Sequence, residues 1–224
     1  MMTTNKLTKT FASGSLAIGV LAGAVLTATS ASASGLIVTP VITTWGNWTA
    51  GNPLQLSDGT TATYVSGSIG ADPLDEVGLF KPGDEYEFQY NATTAGSSGL
   101  NGTQNGSFTY TITFAQPVIG VALDVDATAN YGTVTKEIDG LTPPFPPLVS
   151  VNGSEAPPIG FQPISPQLSL TVTDTISNPN GPGEQLSTIS NNFQRAPHVP
   201  EPGTILGLLA VGGLGLVSRF KKQK

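Results

Sequence analysis

Apolar and polar residues alternate in short runs along the middle of the chain, and clusters of glycine, proline and asparagine separate the runs. Alternate residues of a strand point to opposite faces, so such runs read as half-buried β-strands. The pattern predicts strands at Leu36–Thr43, Thr61–Ser66, Tyr86–Asn91, Ser107–Phe114, Val118–Val125, Thr133–Ile138, Leu168–Asp174 and Leu186–Ser190. Ser107–Phe114 is the clearest, with Phe108, Tyr110, Ile112 and Phe114 on one face and Ser107, Thr109, Thr111 and Thr113 on the other. Val118–Val125 places Val121, Leu123 and Val125 together, and the short link Ala115-Gln116-Pro117 predicts a hairpin between these two runs. No stretch of the body sustains a helical period. The expectation is an all-β fold, an antiparallel β-sandwich of jelly-roll-like type, with a β-barrel as the alternative.

Two proline clusters, Pro143-Pro144-Phe145-Pro146-Pro147 and Pro157-Pro158, read as stiff extended loop rather than as a second domain. Residues 191–199 are polar and read as a linker, which leaves 34–190 as the β domain.

The two ends have a different pattern. Lys6 and Lys9 precede an apolar run from Leu16 to Leu26, and small residues follow, ending in Ala31-Ser32-Ala33. This is the layout of a secretory signal peptide over residues 1–33, with Ala31 and Ala33 at the cleavage site. The run is shorter than the roughly 20 residues that cross a bilayer comfortably.

Toward the C-terminal end come Val199-Pro200-Glu201-Pro202, then a glycine-rich apolar segment, then Arg219, Lys221, Lys222 and Lys224. As a helix over 204–218 the apolar segment would be about 22 Å long at about 1.5 Å per residue. That is short for a bilayer core, although basic side chains can reach the interface. The basic end should stay cytoplasmic, which leaves the body outside. Pro200-Glu201-Pro202, the apolar helix and the basic end together resemble the PEP-CTERM sorting signal of bacterial exported proteins, here over 200–224. The resemblance implies handling by an exosortase, a membrane-embedded peptidase, with cutting near the triplet, and an association with exopolysaccharide. The alternative is an ordinary single-pass anchor, in which Gly203 and Gly207 form a helix-packing pair.

Charge narrows the partners. Between Ser34 and Pro200 the only bases are Lys81, Lys136 and Arg195, against fourteen acids, so the body carries a net −11. Such a surface disfavours nucleic acid and anionic lipid, which leaves membrane contact to the C-terminal helix before processing. There is no cysteine and one histidine, His198. Thiol nucleophiles, iron–sulfur clusters, cysteine-ligated zinc and multi-histidine metal sites are thereby excluded. His198 falls in the expected linker, where no fold orients it, so a Ser-His-Asp triad is not expected either.

Carboxylates and tryptophans remain. Asp124 and Asp126 share one face of an expected strand, while Asp72, Asp75 and Glu76 cluster in a loop, as do Asp84, Glu85 and Glu87. Such acids serve as a solvated face and as turn formers, or as oxygen ligands for Ca²⁺ at Asp72, Asp75 and Glu76, or as a glycosidase pair. Trp45 and Trp48 plug the end of a core or, alternatively, form a sugar-stacking platform. Five Asn-x-Ser/Thr sites, at Asn47, Asn91, Asn101, Asn105 and Asn152, read as loop composition in a bacterial protein.

No catalytic residue is therefore expected and no cofactor is required, with Ca²⁺ the one candidate. The expected function is that of a non-enzymatic exported surface or matrix protein. Its alternatives are a carbohydrate-binding module using Trp45, Trp48 and Ca²⁺, and a glycoside hydrolase.

Overall fold

A computed structural model of the 224-residue chain describes residues 38–92, 100–101, 105–180 and 184–197. The expected signal peptide, the apolar helix 204–218, His198 and Pro200-Glu201-Pro202 lie outside the described residues. Among those residues no helix is long and apolar enough to cross a membrane.

The expected strand face at Phe108, Tyr110, Ile112 and Phe114 is present and points into the core. The expected hairpin after it is not. Ser107–Phe114 and Val118–Val125 belong to one 22-residue strand, β7, running from Gly106 to Ala127. Ala115-Gln116-Pro117 lacks the glycine or asparagine that a tight hairpin needs for positive φ. Its backbone is satisfied from elsewhere: the Ala115 N–H donates to Thr60 Oγ1 (3.1 Å) and the Pro117 carbonyl accepts from the Ala196 N–H (2.9 Å). The chain bends instead of reversing. Pairing shifts register on both flanks between Thr113 and Gly120, and the buried positions pass from Phe108–Phe114 to Val121, Leu123 and Val125. Bulges of this kind let one strand turn a corner.

The remaining strands hang from β7, all antiparallel. Its first half pairs with β3 (Thr61–Gly67) and with β11 (Gln162–Ser177); β11 continues to β8 (Thr133–Asp139), β9 (Leu148–Val151) and β10 (Ser154–Glu155). The second half pairs with β12 (Gln185–Arg195), which continues to β5 (Glu85–Asn91), β4 (Glu76–Phe80) and β1 (Val41–Thr44). β2 (Leu54–Gln55) extends β3, and β6 (Leu100–Asn101) pairs with β12. The result is one open antiparallel sheet with two wings. β9 and β10 form a two-residue hairpin at Asn152-Gly153, whose φ values of 53° and 73° suit a type I′ turn.

The expected linker begins too early. Asn191–Arg195 continue β12, with Asn191 and Phe193 fully buried and paired to Leu123 and Val121. The asparagines at 191 and 192 hide the alternation, because a buried amide reads as a loop residue.

The inner faces of the two wings meet. Phe88 of β5 stacks on Tyr110 of β7 at 4.2 Å, although these strands are not hydrogen-bonded neighbours. Phe114 contacts both Tyr86 (5.4 Å) and Phe193 (5.1 Å). The short helix α1 (Trp45–Thr49), capped by the Thr44 hydroxyl, drops its two tryptophans into this cluster. Trp48 lies 5.0 Å from Phe88, and its indole N–H donates to the Ala62 carbonyl (3.2 Å). On the outer face of the β7–β11 pair, threonine hydroxyls align across the strands, Thr109 with Thr173 (2.9 Å) and Thr111 with Thr171 (3.5 Å).

Trp48 is the largest fully buried side chain. Trp48→Ala should lower unfolding free energy by about 3–5 kcal/mol in denaturant titration. A loss below about 1 kcal/mol would show that α1 does not hold the wings together.

Candidate functional site

Trp45 and Trp48 lie within the aromatic cluster with ring centroids 5.5 Å apart, and both are buried, so neither offers a ring face for sugar stacking. The acidic loop docks directly on them. The Trp45 and Gly46 N–H groups donate to the carbonyls of Asp75 (2.6 Å) and Pro73 (2.9 Å), which satisfies donors that a helix start leaves open. The Asp75 carboxylate is buried and accepts from the Tyr90 hydroxyl (2.7 Å) and the Asp72 N–H (3.0 Å). Burial first, and then the hydrogen bond to Asp75, push the Tyr90 hydroxyl far above its usual range, so it stays a donor. The Asp72 carboxylate accepts from the Leu74 N–H (2.8 Å), and Glu76 opens β4. Among the described residues no three acidic or histidine side chains converge on a point that could hold a metal ion.

Asp124 and Asp126 alternate with buried Leu123 and Val125, as their spacing implies, and lie on the exposed face opposite Ser190 and Thr188 of β12. Two of the body's three bases are spent near Tyr86. Lys81 pairs with Asp58 (2.8 Å), which also accepts from the Tyr86 hydroxyl (3.2 Å). Arg195 donates to Asp84 (2.7 Å), the Gly83 carbonyl (2.7 Å) and Gln116 (2.8 Å).

The third base has gone inside. Lys136 of β8 is fully buried and sits directly opposite Asp174 of β11, which is also fully buried. They form no direct hydrogen bond. Lys136 Nζ donates to the Ala122 carbonyl (3.0 Å) and lies 4.2 Å from the centre of the Phe193 ring. Asp174 Oδ2 accepts from Asn191 Nδ2 (2.7 Å), while Asp174 Oδ1, Asn191 Oδ1 and the nearby Tyr110 hydroxyl have no partner among the described residues. Burial pushes the ammonium of Lys136 down and the carboxyl of Asp174 up, and their mutual attraction opposes both shifts. The same burial, with the Asp174 charge behind it, raises the Tyr110 hydroxyl.

Sequence reasoning did not single out this cluster. A signal existed: Lys136 falls in phase with Val134 and Ile138, and Asp174 with Val172 and Ile176, so alternation alone assigns both to the inner face. Asn191 is likewise in phase with Ile189 and Phe193, but the polar run Ser190-Asn191-Asn192 gives that stretch the composition of a linker.

The segment that follows the last strand decides the protein's address. Residues 198–222 match the PEP-CTERM protein-sorting motif. The chain carries a PEP-CTERM sorting signal. The motif implies export, surface sorting and recognition by an exosortase, a membrane protein. The chain has no match among curated proteins or among solved structures. The folded body runs almost to the motif. The Arg195 N–H donates to the Asp84 carbonyl (3.0 Å) and the Ala196 N–H to Pro117, which leaves Pro197 between the last of these bonds and residue 198.

Burial would raise the pKa of Asp58, but hydrogen bonds from Lys81 and from the Thr60 N–H outweigh it and hold the carboxyl below 3.8. A depressed acid contributes stability that is present above its unfolded pKa and lost as pH falls through the folded value. Acid titration of the melting temperature should therefore show a smaller drop below about pH 4 in Asp58→Asn than in the parent protein. Superimposable acid limbs would remove Asp58 as a contributor.

Proposed function

We propose that this PEP-CTERM protein is a non-enzymatic component of the cell surface or extracellular matrix, delivered by an exosortase-type peptidase and associated with exopolysaccharide. The observation that carries this reading is the sorting motif at 198–222. The acidic body supports it, since at net −11 it stays soluble outside the cell and avoids anionic membrane surfaces. We read the open sheet as a jelly-roll-like sandwich; supporting this, β1 and β10 end its path without pairing to each other among the described residues. A barrel would join them.

A carbohydrate-binding role for the body is the second reading, and a groove of 390 Å³ favours it. The groove lies between the proline-rich loop and the start of β11, with Phe145, Pro144 and Ile164 as apolar wall and Gln162 as a polar group. A mostly apolar wall with a ring and a few placed polar groups is the usual make-up of a small-molecule site. The groove replaces the buried tryptophans as the place to look.

Mass spectrometry of the mature protein from its own host tests the first reading. The expected outcome is a C-terminus close to Pro200-Glu201-Pro202, with no peptides from Ile205–Lys224 in the surface-bound form. Recovery of those peptides from surface-bound protein would favour a permanent anchor. For the second reading, Phe145→Ala should weaken glycan-array binding by about tenfold or more. Equal binding by the variant, or none by either protein, would discard the groove.

A further inference from the structure

The Lys136–Asp174–Asn191 cluster is unusual on two counts. A body with three bases has placed one of them in its centre, where no turn, cap or surface pair requires it. Buried polar groups in native folds are almost always hydrogen-bonded, yet one oxygen each of Asp174 and Asn191 has no partner among the described residues. Partly satisfied networks are costly where the local dielectric is low, so the presence of all three groups together calls for a use.

Their placement supplies one. Asp174 is the cross-strand partner of Lys136, and its carboxyl holds the Asn191 amide nitrogen at 2.7 Å. The Lys136 side chain has crossed the core to the opposite wing. Its hydrogen-bond acceptor, Ala122, precedes Leu123, the strand partner of Asn191, and its aromatic neighbour Phe193 is two residues beyond Asn191 on the same inner face. An amine, a carboxamide and an acid thus share one enclosed space, with the acid already bonded to the amide that would leave.

We propose that Lys136 and Asn191 form an intramolecular amide cross-link between the two wings, with Asp174 as the catalytic acid and base. Lys136 Nζ attacks Cγ of Asn191, so the Nζ–Cγ bond forms and the Cγ–Nδ2 bond breaks. Asp174 in its acid form gives its proton to the departing nitrogen, and its carboxylate takes a proton from Nζ. Ammonia leaves, Asp174 ends as it began, and no oxidant or co-reactant is consumed. The environment favours the reactive forms, since burial disfavours both the ammonium and the carboxylate. Fixed neighbours in a buried site replace an encounter that would be slow in solution. The product also removes the buried ammonium and leaves an amide carbonyl beside protonated Asp174.

The bond would tie β8 to β12, so that the wings could not separate by peeling, and β12 is the strand that leads to the sorting motif. That is a useful property in a protein held at a surface from its C-terminal side.

The test uses the mature protein from its own host, denatured and digested with trypsin. Lys136 is followed by Glu137, so an unmodified chain is cut there, whereas an acylated lysine is not. The expected result is a chain lighter than its sequence by one ammonia, uncut after Lys136, with fragment spectra joining Lys136 to Asn191. Asn191→Ala and Asp174→Asn variants should show the full mass and be cut after Lys136. Wild-type protein of full mass that is cut after Lys136 would overturn the proposal without reference to how the variants fold. Loss of one water with a Lys136–Asp174 link would also overturn it. So would loss of ammonia confined to an Asn-Gly pair such as Asn152-Gly153, where a cyclic imide forms without touching Lys136.

Discussion

The backbone of β7 holds the two wings as one hydrogen-bonded sheet. Its first half gives its hydrogen bonds to β3 and β11, and its second half gives them mainly to β12. Because it bends at Ala115–Gly120 rather than reversing, the inner faces of both halves look into the same space. That geometry lets Phe88 stack on Tyr110 and Phe114 touch Phe193, contacts that no single flat sheet would allow. Sheets bend in this way where a strand bulges, and the shifted register between Thr113 and Gly120 is such a place.

The same bend creates the polar interior. Asp174 and Lys136 face inward from one wing, and Asn191 and the Ala122 carbonyl from the other. Without the fold across β7 these groups would lie in water at ordinary protonation states. Enclosed together they lose hydration, and that burial shifts Lys136 and Asp174 in the directions that amide formation needs, against their mutual attraction. The surface bases behave differently: Lys81 and Arg195 pair with acids near solvent beside Tyr86, where such pairs contribute modestly.

Much of the architecture was legible from periodicity. Thr61–Ser66, Tyr86–Asn91, Thr133–Ile138 and Leu168–Asp174 all fall inside observed strands, and the inner face of Ser107–Phe114 is the one alternation assigns. β4 was missed because Glu76-Val77-Gly78-Leu79-Phe80 does not alternate, having both faces covered over Val77–Leu79. The hairpin at Ala115–Pro117 was expected from proximity in sequence, but strand pairing is decided by where backbone donors find acceptors. The candidate sites were less legible. Trp45 and Trp48 have the same sequence signature whether they bind sugar or fill a core, and only their burial distinguishes the two.

The sequence by itself determined the address and the class of fold. Residues 198–222 are recognised as a contiguous string of proline, apolar and basic residues, and β-structure follows from a period set by neighbours along the chain. Both are local properties and survive without knowledge of what lies across the core. Only the tertiary structure decided that Lys136, Asp174 and Asn191 meet, that the acidic loop buries Asp75 beneath α1, and that β12 continues through Arg195. These depend on register and on one bend in β7, which set contacts between residues far apart in the chain, and a lysine or asparagine looks the same in sequence whether it faces water or the core.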